Sequence, residues 1–105
     1  MATATKALYR GAASTTTSTT LYTVPNSSTT TVVTSIIVTN TAASSGTFTM
    51  SIDDVKIFEA VSLAANTTAF FDLKSVIPAN ATPKTIKGGA SATSITFHIS
   101  GVEIS

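Results

Sequence analysis

Alternation of apolar and hydroxyl side chains is the feature of this sequence that most restricts its fold. In the segment 47–52, Phe48, Met50 and Ile52 alternate with threonine and serine. A period of two places one kind of side chain on each face of a β-strand. No segment shows the 3.6-residue period of an amphipathic helix, so the sequence predicts an all-β protein.

Strand-like segments recur at intervals of about ten residues and are separated by turns of small residues. They predict seven or eight strands, at 19–24, 30–40, 47–52, 55–63, 68–77, 84–87 and 95–104, with a further short one at 7–9. At 105 residues the chain has the length of one domain. We therefore expect a single antiparallel β-sandwich, with either immunoglobulin-like or jelly-roll-like connectivity.

Three local patterns give finer predictions for the strands and turns. Asp53 and Asp54 lie between two strands and predict a tight hairpin turn. Apolar residues of equal parity in the next strand are expected to share one face: Val55, Ile57, Val61 and Leu63. In the last strand the apolar parity changes after Ser100, which predicts a β-bulge at Gly101, where glycine tolerates the required dihedral angles.

The first twenty residues differ in composition from the rest of the chain. Residues 11–20 contain only Gly, Ala, Ser and Thr, so they cannot contribute to a core in the ordinary way. We therefore divide the chain into an extended N-terminal arm, or an edge strand plus a loop, at 1–20 and a β-sandwich domain at 21–105. Leu8 and Tyr9, together with Arg10, form a short apolar island that could dock on a partner.

Charge and cysteine content exclude several classes of function. Six Lys and Arg against five Asp and Glu give a net charge of +1, too weak to predict nucleic acid or an anionic membrane as a partner. The absence of cysteine excludes disulfides and thiolate chemistry, and favours folding in a reducing cytosol. No apolar stretch approaches the ~18 residues of a membrane span, and no signal peptide is visible.

Catalytic and metal-binding patterns are also missing from the sequence. The one histidine, His98, shares its parity with hydroxyl residues and is expected to be an exposed strand residue. Asp53 and Asp54 lack the D-x-D-x-D spacing of a calcium site. No G-x-S-x-G nucleophile elbow occurs. We therefore predict no catalytic residue, no cofactor and no metal, and a protein that is not an enzyme.

Three segments together resemble small β-sandwich virion structural proteins of tailed bacteriophages. They are residues 21–25 (Leu-Tyr-Thr-Val-Pro) leading into 36–41 (Ile-Ile-Val-Thr-Asn-Thr), the turn at 61–68, and the ending 97–104. The resemblance covers residues 21 to 104. Near 79–86 the chain departs from the family, where Gly-Asp-x-Ile is common, and a longer connection is expected there.

The resemblance implies a structural protein of the virus particle. Its first implication is a capsid decoration, or cement, protein that binds the major capsid protein or other virion proteins on the exterior of the particle and stabilises it. A neck, collar or tail accessory protein is the alternative, and a glycan-binding adhesin module is the third. Homo-oligomerisation, with a trimer as one option, and assembly in the host cytoplasm are further expectations by analogy.

Overall fold

Eight β-strands in two four-stranded antiparallel sheets are formed by residues 3–105, the part of the chain that the computed structural model describes. The strands are β1 (Thr3–Ala12), β2 (Thr20–Thr23), β3 (Thr30–Asn40), β4 (Gly46–Ile52), β5 (Val55–Leu63), β6 (Thr68–Ile77), β7 (Thr85–Ala90) and β8 (Ile95–Ile104). Met1 and Ala2, which begin the predicted arm, lie outside the described residues. The predicted all-β sandwich is confirmed.

The connectivity is that of a jelly roll. The first sheet has the order β1-β8-β3-β6, and the second has the order β2-β7-β4-β5. The chain therefore behaves as one long antiparallel hairpin, in which β4 pairs with β5, β3 with β6, β2 with β7 and β1 with β8. Rolling this hairpin into two facing sheets gives the jelly roll, which decides between the two connectivities that the sequence left open.

The tip of this long hairpin is the turn that the sequence predicted. Ile52 pairs with Val55 across it, and Asp53 and Asp54 have φ angles of 55° and 59°. Two consecutive left-handed residues are the signature of a type I′ turn, whose twist matches that of the flanking strands. Asp tolerates this conformation better than most residues with a side chain.

The core lies between the sheets and is built from the residues whose alternation marked the strands. Phe48 and Met50 of β4 and Ile95, Phe97 and Ile99 of β8 are fully buried. Four phenylalanine rings join the two sheets, because Phe48 lies 5.4 Å from Phe58, 6.1 Å from Phe71 and 6.2 Å from Phe97 between ring centroids.

The predicted β-bulge at Gly101 is wrong. Gly101 continues the inward parity of β8 and is buried, while the extra residues lie in the neighbouring strands, at Leu8 of β1 and Thr34 of β3. A Cβ on Gly101 would lie 2.4 Å from the carbonyl oxygen of Val32, so close backbone approach explains the glycine. The parity change instead reflects a change of face: Phe97 and Ile99 of β8 point into the core, whereas Val102 and Ile104 lie on its outer face.

The predicted common face of β5 is also wrong. Phe48 pairs with Val61 and Met50 pairs with Phe58, so two residues of β5 stand opposite Thr49 alone. This bulge contains Ala60, with a φ of 46°, whose N–H donates to Thr49 Oγ1 at 3.0 Å. It turns Phe58 and Val61 towards the core. A second register shift follows between Phe58 and Lys56, and Val55 and Ile57 near the hairpin tip are exposed.

The structure shows no extended arm within the described residues. Thr3–Ala12 is an edge strand, and the loop that follows lies on β7, where the carbonyl oxygens of Ser14 and Thr19 accept hydrogen bonds from the N–H groups of Ala90 (2.8 Å) and Gly88 (2.9 Å). Ala13 is only 2% exposed. The small residues of the loop 13–19 are therefore explained by close packing of its backbone on Gly89 of β7, where an added Cβ would lie 2.4 Å from the carbonyl oxygen of Thr16.

Candidate interaction surface

Surfaces, rather than cavities, are the candidates for a functional site. Residues 3–105 enclose no pocket, and no three His, Cys, Asp or Glu side chains of that range are grouped so that they could hold a metal ion. Within the same range, no helix has the length and apolar character needed to cross a membrane.

The three residues predicted to bind a partner do not form one surface. Leu8 is 7% exposed and belongs to the core, where its side chain lies beside Gly101. Tyr9 packs against the core, and its hydroxyl donates to the carbonyl oxygen of Ala12 at 2.8 Å. Arg10 alone is exposed, beside His98 of β8. His98 itself is half-buried rather than fully exposed.

The outward side of the first sheet carries an apolar surface that the sequence analysis did not identify. Six of its residues are Val32, Ile37, Phe70, Val76, Val102 and Ile104; we call them the outer apolar face. Phe70 is 72% exposed and Val76 is 57% exposed, and the other four are half-buried. Solvent-exposed side chains of this size on one sheet are the usual mark of an interaction surface.

Strand register arranges this surface as two apolar rows across the sheet, with a polar row of Ser100, Ser35 and Asp72 between them. Val32 of β3 pairs with Val102 of β8 on one side and with Val76 of β6 on the other. Ile37 is likewise flanked by His98 and Phe70. Side chains directly opposite in neighbouring strands are about 5 Å apart at Cβ. Val76, Val32 and Val102 therefore form one continuous apolar row, and Ile37 and Phe70 form a second apolar contact that His98 borders.

Charged residues on this side of the sheet lie only at its edges. Arg10 is in the edge strand β1, and Asp72 and Lys74 are in the opposite edge strand β6. The outward positions of the two central strands, β3 and β8, carry Thr, Ser, His, Val and Ile. The charges of this side thus lie in the two edge strands, and in β6 the exposed Asp72 and Lys74 stand between Phe70 and Val76.

On the inward face of β8, near its end, a polar cluster joins the two sheets. The Tyr22 hydroxyl of β2 donates to the Glu103 carboxylate of β8. A phenol has a single proton, so Thr31 is the donor in its 2.8 Å hydrogen bond with the Tyr22 hydroxyl. Lys6 of β1 lies 3.4 Å from the other Glu103 oxygen. Four strands from both sheets therefore meet in one cluster.

Burial and the Glu103 carboxylate act in the same direction on Tyr22. Removal from water disfavours the phenolate, and Glu103 disfavours it further through the hydrogen bond and its negative charge. Together they raise the pKa of Tyr22 to about 12, although Thr31 opposes the shift. The cluster is a structural tie, because the phenol stays neutral at physiological pH.

The acidic turn at the hairpin tip is neutralised by lysines of the same sheet region. Asp53 lies 3.5 Å from the Lys84 amine, and Asp54 lies 3.0 Å from the Lys87 amine. Lys87 belongs to β7, and Lys84 ends the irregular connection before it. These exposed pairs contribute at most about 1 kcal/mol each. They orient the turn.

The fold defines a single jelly-roll domain, and solved structures contain the same fold. A protein chain in the T13 particle of infectious bursal disease virus, IBDV, superposes with a TM-score of 0.55 and 14% sequence identity, covering 97% of this chain. A chain of the infectious bursal disease virus Gx strain superposes with a TM-score of 0.52 and 15% identity, again over 97% of this chain.

These likenesses are similarities of fold. This chain spans 30% of the length of each of the two viral chains. Its sequence matches no protein-family model and no curated protein.

Proposed function

We propose that this chain is a non-enzymatic structural protein of a virus particle, and that it acts as a capsid decoration, or cement, protein of a tailed bacteriophage. The observation that carries the proposal is the eight-stranded jelly roll, which superposes on chains of a virus particle over 97% of its length. The sequence resemblance to phage virion proteins favours the same class from an independent direction. In this role the protein binds the major capsid protein on the exterior of the particle.

The mechanism that follows is adhesion by a rigid body. The domain measures 46 × 21 × 18 Å, so its sheets offer long, flat surfaces for a small mass. Buried ties such as the Tyr22–Glu103 cluster fix the sheets relative to each other. A rigid binder loses little conformational entropy on association, so more of its interface energy remains to hold neighbouring capsid subunits together.

Binding to capsids tests the proposal. The purified chain is added to expanded phage capsids from which accessory proteins have been stripped, and bound copies are counted after sedimentation. A decoration protein saturates at a copy number proportional to the number of capsid subunits. Recovery on necks or tails, with no binding to the capsid lattice, would replace the decoration role by that of a neck, collar or tail accessory protein.

The binding test needs a variant that keeps the fold. Deletion of residues 1–20 is unsuitable, because it removes β1 from the first sheet and Ala13 from the core. Lys56→Ser is a suitable control, since Lys56 is exposed on β5 and its ion pair with Glu59 is exposed as well. Equal binding by this variant shows that the charge of Lys56 does not hold the chain on the capsid. Binding of a fluorescent glycan panel instead of capsids would favour the adhesin module.

A further inference from the structure

We propose that the outer apolar face is a two-fold interface between two copies of this chain. The inference deepens the proposed function by naming the surface of self-association, and it rests on that function only for its biological role. It starts from the exposure of Phe70 and Val76, at 72% and 57%, in a sheet whose other side is already filled by the core. A second covering layer is what such a sheet lacks.

The size of the face matches what a dimer requires. Four strands spaced about 4.8 Å apart and ten residues long, at about 3.3 Å per residue, present about 600 Å² in flat projection. Side-chain relief makes the accessible area larger than the projection. A stable interface buries about 800 Å² on each partner, so one copy of this face is of the right size for one partner copy.

The distribution of charge favours a second copy as the occupant. In the first sheet β1 and β6 are opposite edges, with β8 and β3 between them. A two-fold axis parallel to the strands and lying in the interface places β1 of one copy over β6 of the other, and β8 over β3. Arg10 of each copy then meets the Phe70 and Asp72 region of the other copy.

The register supports this match in detail. Arg10 pairs with His98, His98 with Ile37, and Ile37 with Phe70, so Arg10 and Phe70 lie at the same level of the sheet. The guanidinium can therefore cover the Phe70 ring of the partner copy and reach its Asp72 carboxylate, one outward position further along. Symmetry produces this contact twice. At the level of Val32 and Val102 the same axis places valine over valine.

Other exposed apolar residues do not make an equivalent surface. Val55 and Ile57 of β5 are 66% and 37% exposed. They lie in an edge strand between the acidic turn and the exposed Lys56–Glu59 pair. Burial of that region would desolvate these charges. In the outer apolar face the central strands β3 and β8 carry no Asp, Glu, Lys or Arg at their outward positions, and Asp72 of the edge strand would face Arg10 of the second copy.

Two valines with similar exposure provide a matched test. Sedimentation velocity over a concentration series measures the dimer dissociation constant of the full chain. Val76→Lys places a charge in the interface and is expected to raise that constant by more than about tenfold. Val55→Lys makes the same change on the other sheet and should leave it within about twofold. A dimer that is lost with Val55→Lys but kept with Val76→Lys would place the interface on the β2-β7-β4-β5 sheet and would overturn the inference.

Charge reversal tests the two-fold arrangement itself. Arg10→Asp and Asp72→Arg should each weaken the homodimer by about tenfold, because each creates two like-charged contacts. An equimolar mixture of the two variants should recover wild-type affinity, since both contacts are then between opposite charges. Within one copy the two residues are about 14 Å apart across the sheet, so recovery cannot arise inside a single chain.

Several results would overturn the inference. They are a wild-type chain that stays monomeric at millimolar concentration, or a mixture that associates no better than either variant alone. Failure of the dimer interface is distinct from failure of the proposed function, because capsid binding and particle composition measure the proposed function separately. A monomer that decorates capsids would refute only the dimer interface. A dimer with the predicted charge dependence that is absent from virus particles would refute only the virion role.

Discussion

Gly89→Ala tests whether the loop 13–19 is packed on β7. A Cβ at Gly89 would lie 2.4 Å from the carbonyl oxygen of Thr16 and 2.7 Å from that of Ser14, both backbone atoms. The loop must therefore either remain under strain or move away from the strand. The structure sets the free-energy cost of both responses.

The two responses cost similar amounts. Strain from an added methyl group in a packed region costs about 1–3 kcal/mol. Displacement breaks the hydrogen bonds that Ser14 and Thr19 accept from β7, at about 0.5–1.5 kcal/mol each. Alanine restricts the unfolded chain and returns about 0.4–1 kcal/mol. We expect the free energy of unfolding to fall by about 1–2 kcal/mol and Tm to fall by about 4–16 °C.

Urea unfolding followed by circular dichroism measures this loss, and Gly46→Ala is the control. A Cβ at Gly46 would meet only side-chain ends, Ile95 Cδ1 at 2.8 Å and Ser91 Oγ at 3.0 Å, which can move. The control should lose less stability than Gly89→Ala, because side-chain ends can move more easily than backbone carbonyls. Elastase, which cleaves after small residues, should cut the 13–19 loop faster in Gly89→Ala. Wild-type stability and wild-type cleavage in that variant would refute close packing of the loop.

Three further substitutions test the buried ties and the β5 bulge. The pKa of Tyr22 rises from 10 in the unfolded chain to about 12 in the fold, so its contribution is complete below pH 10 and is lost as the pH rises through about 12. This difference corresponds to at most about 2.7 kcal/mol, and Tyr22→Phe should remove that part of the alkaline decline in urea unfolding, whereas an unchanged decline would contradict the assignment. Asn40 is buried; its amide donates to the carbonyls of Ser44 (2.9 Å) and Leu63 (3.2 Å), and its side-chain oxygen accepts from Ala42 N–H (3.0 Å). Asn40→Ala should therefore cost about 2–4 kcal/mol, measured in the same way, and a loss below 1 kcal/mol would show that the loops satisfy these groups differently. Ala60→Gly relieves a φ of 46° and should raise Tm by a few degrees, whereas a lower Tm would argue against the bulge.

Strand positions could be predicted from the sequence because alternation records which face is buried. Residues 30–40 and 55–63 were expected to be strands and coincide with β3 and β5. The hairpin turn at Asp53 and Asp54 was predictable for a similar local reason, since few residue pairs accept two left-handed conformations in succession.

The remaining features depend on contacts between distant parts of the chain. Bulges at Leu8, Thr34 and Ala60 shift register against a neighbouring strand, and no local pattern specifies which strand carries the extra residue. Small side chains in the segment 13–19 indicate an arm that cannot pack, whereas in the fold Gly89 of β7 allows the backbone of this loop to pack.

The parity change of the apolar residues in β8 is the sequence signal of the outer apolar face. Val102 and Ile104 change parity relative to Phe97 and Ile99, a change that on sequence grounds predicts a bulge at Gly101. Glu103 instead occupies the inward position, and its carboxylate accepts a hydrogen bond from the Tyr22 hydroxyl of the other sheet. A partner for an inward carboxylate cannot be identified before the sheets are known to face each other.

Composition of the virus particle tests the central claim most directly. Particles purified from host cells carrying this gene are analysed by quantitative mass spectrometry, and the molar ratio of this chain to the major capsid protein is measured. The account predicts a fixed, stoichiometric ratio that persists through density-gradient purification. Absence of the chain from purified particles, while it accumulates in the host cell, would contradict a virion structural role.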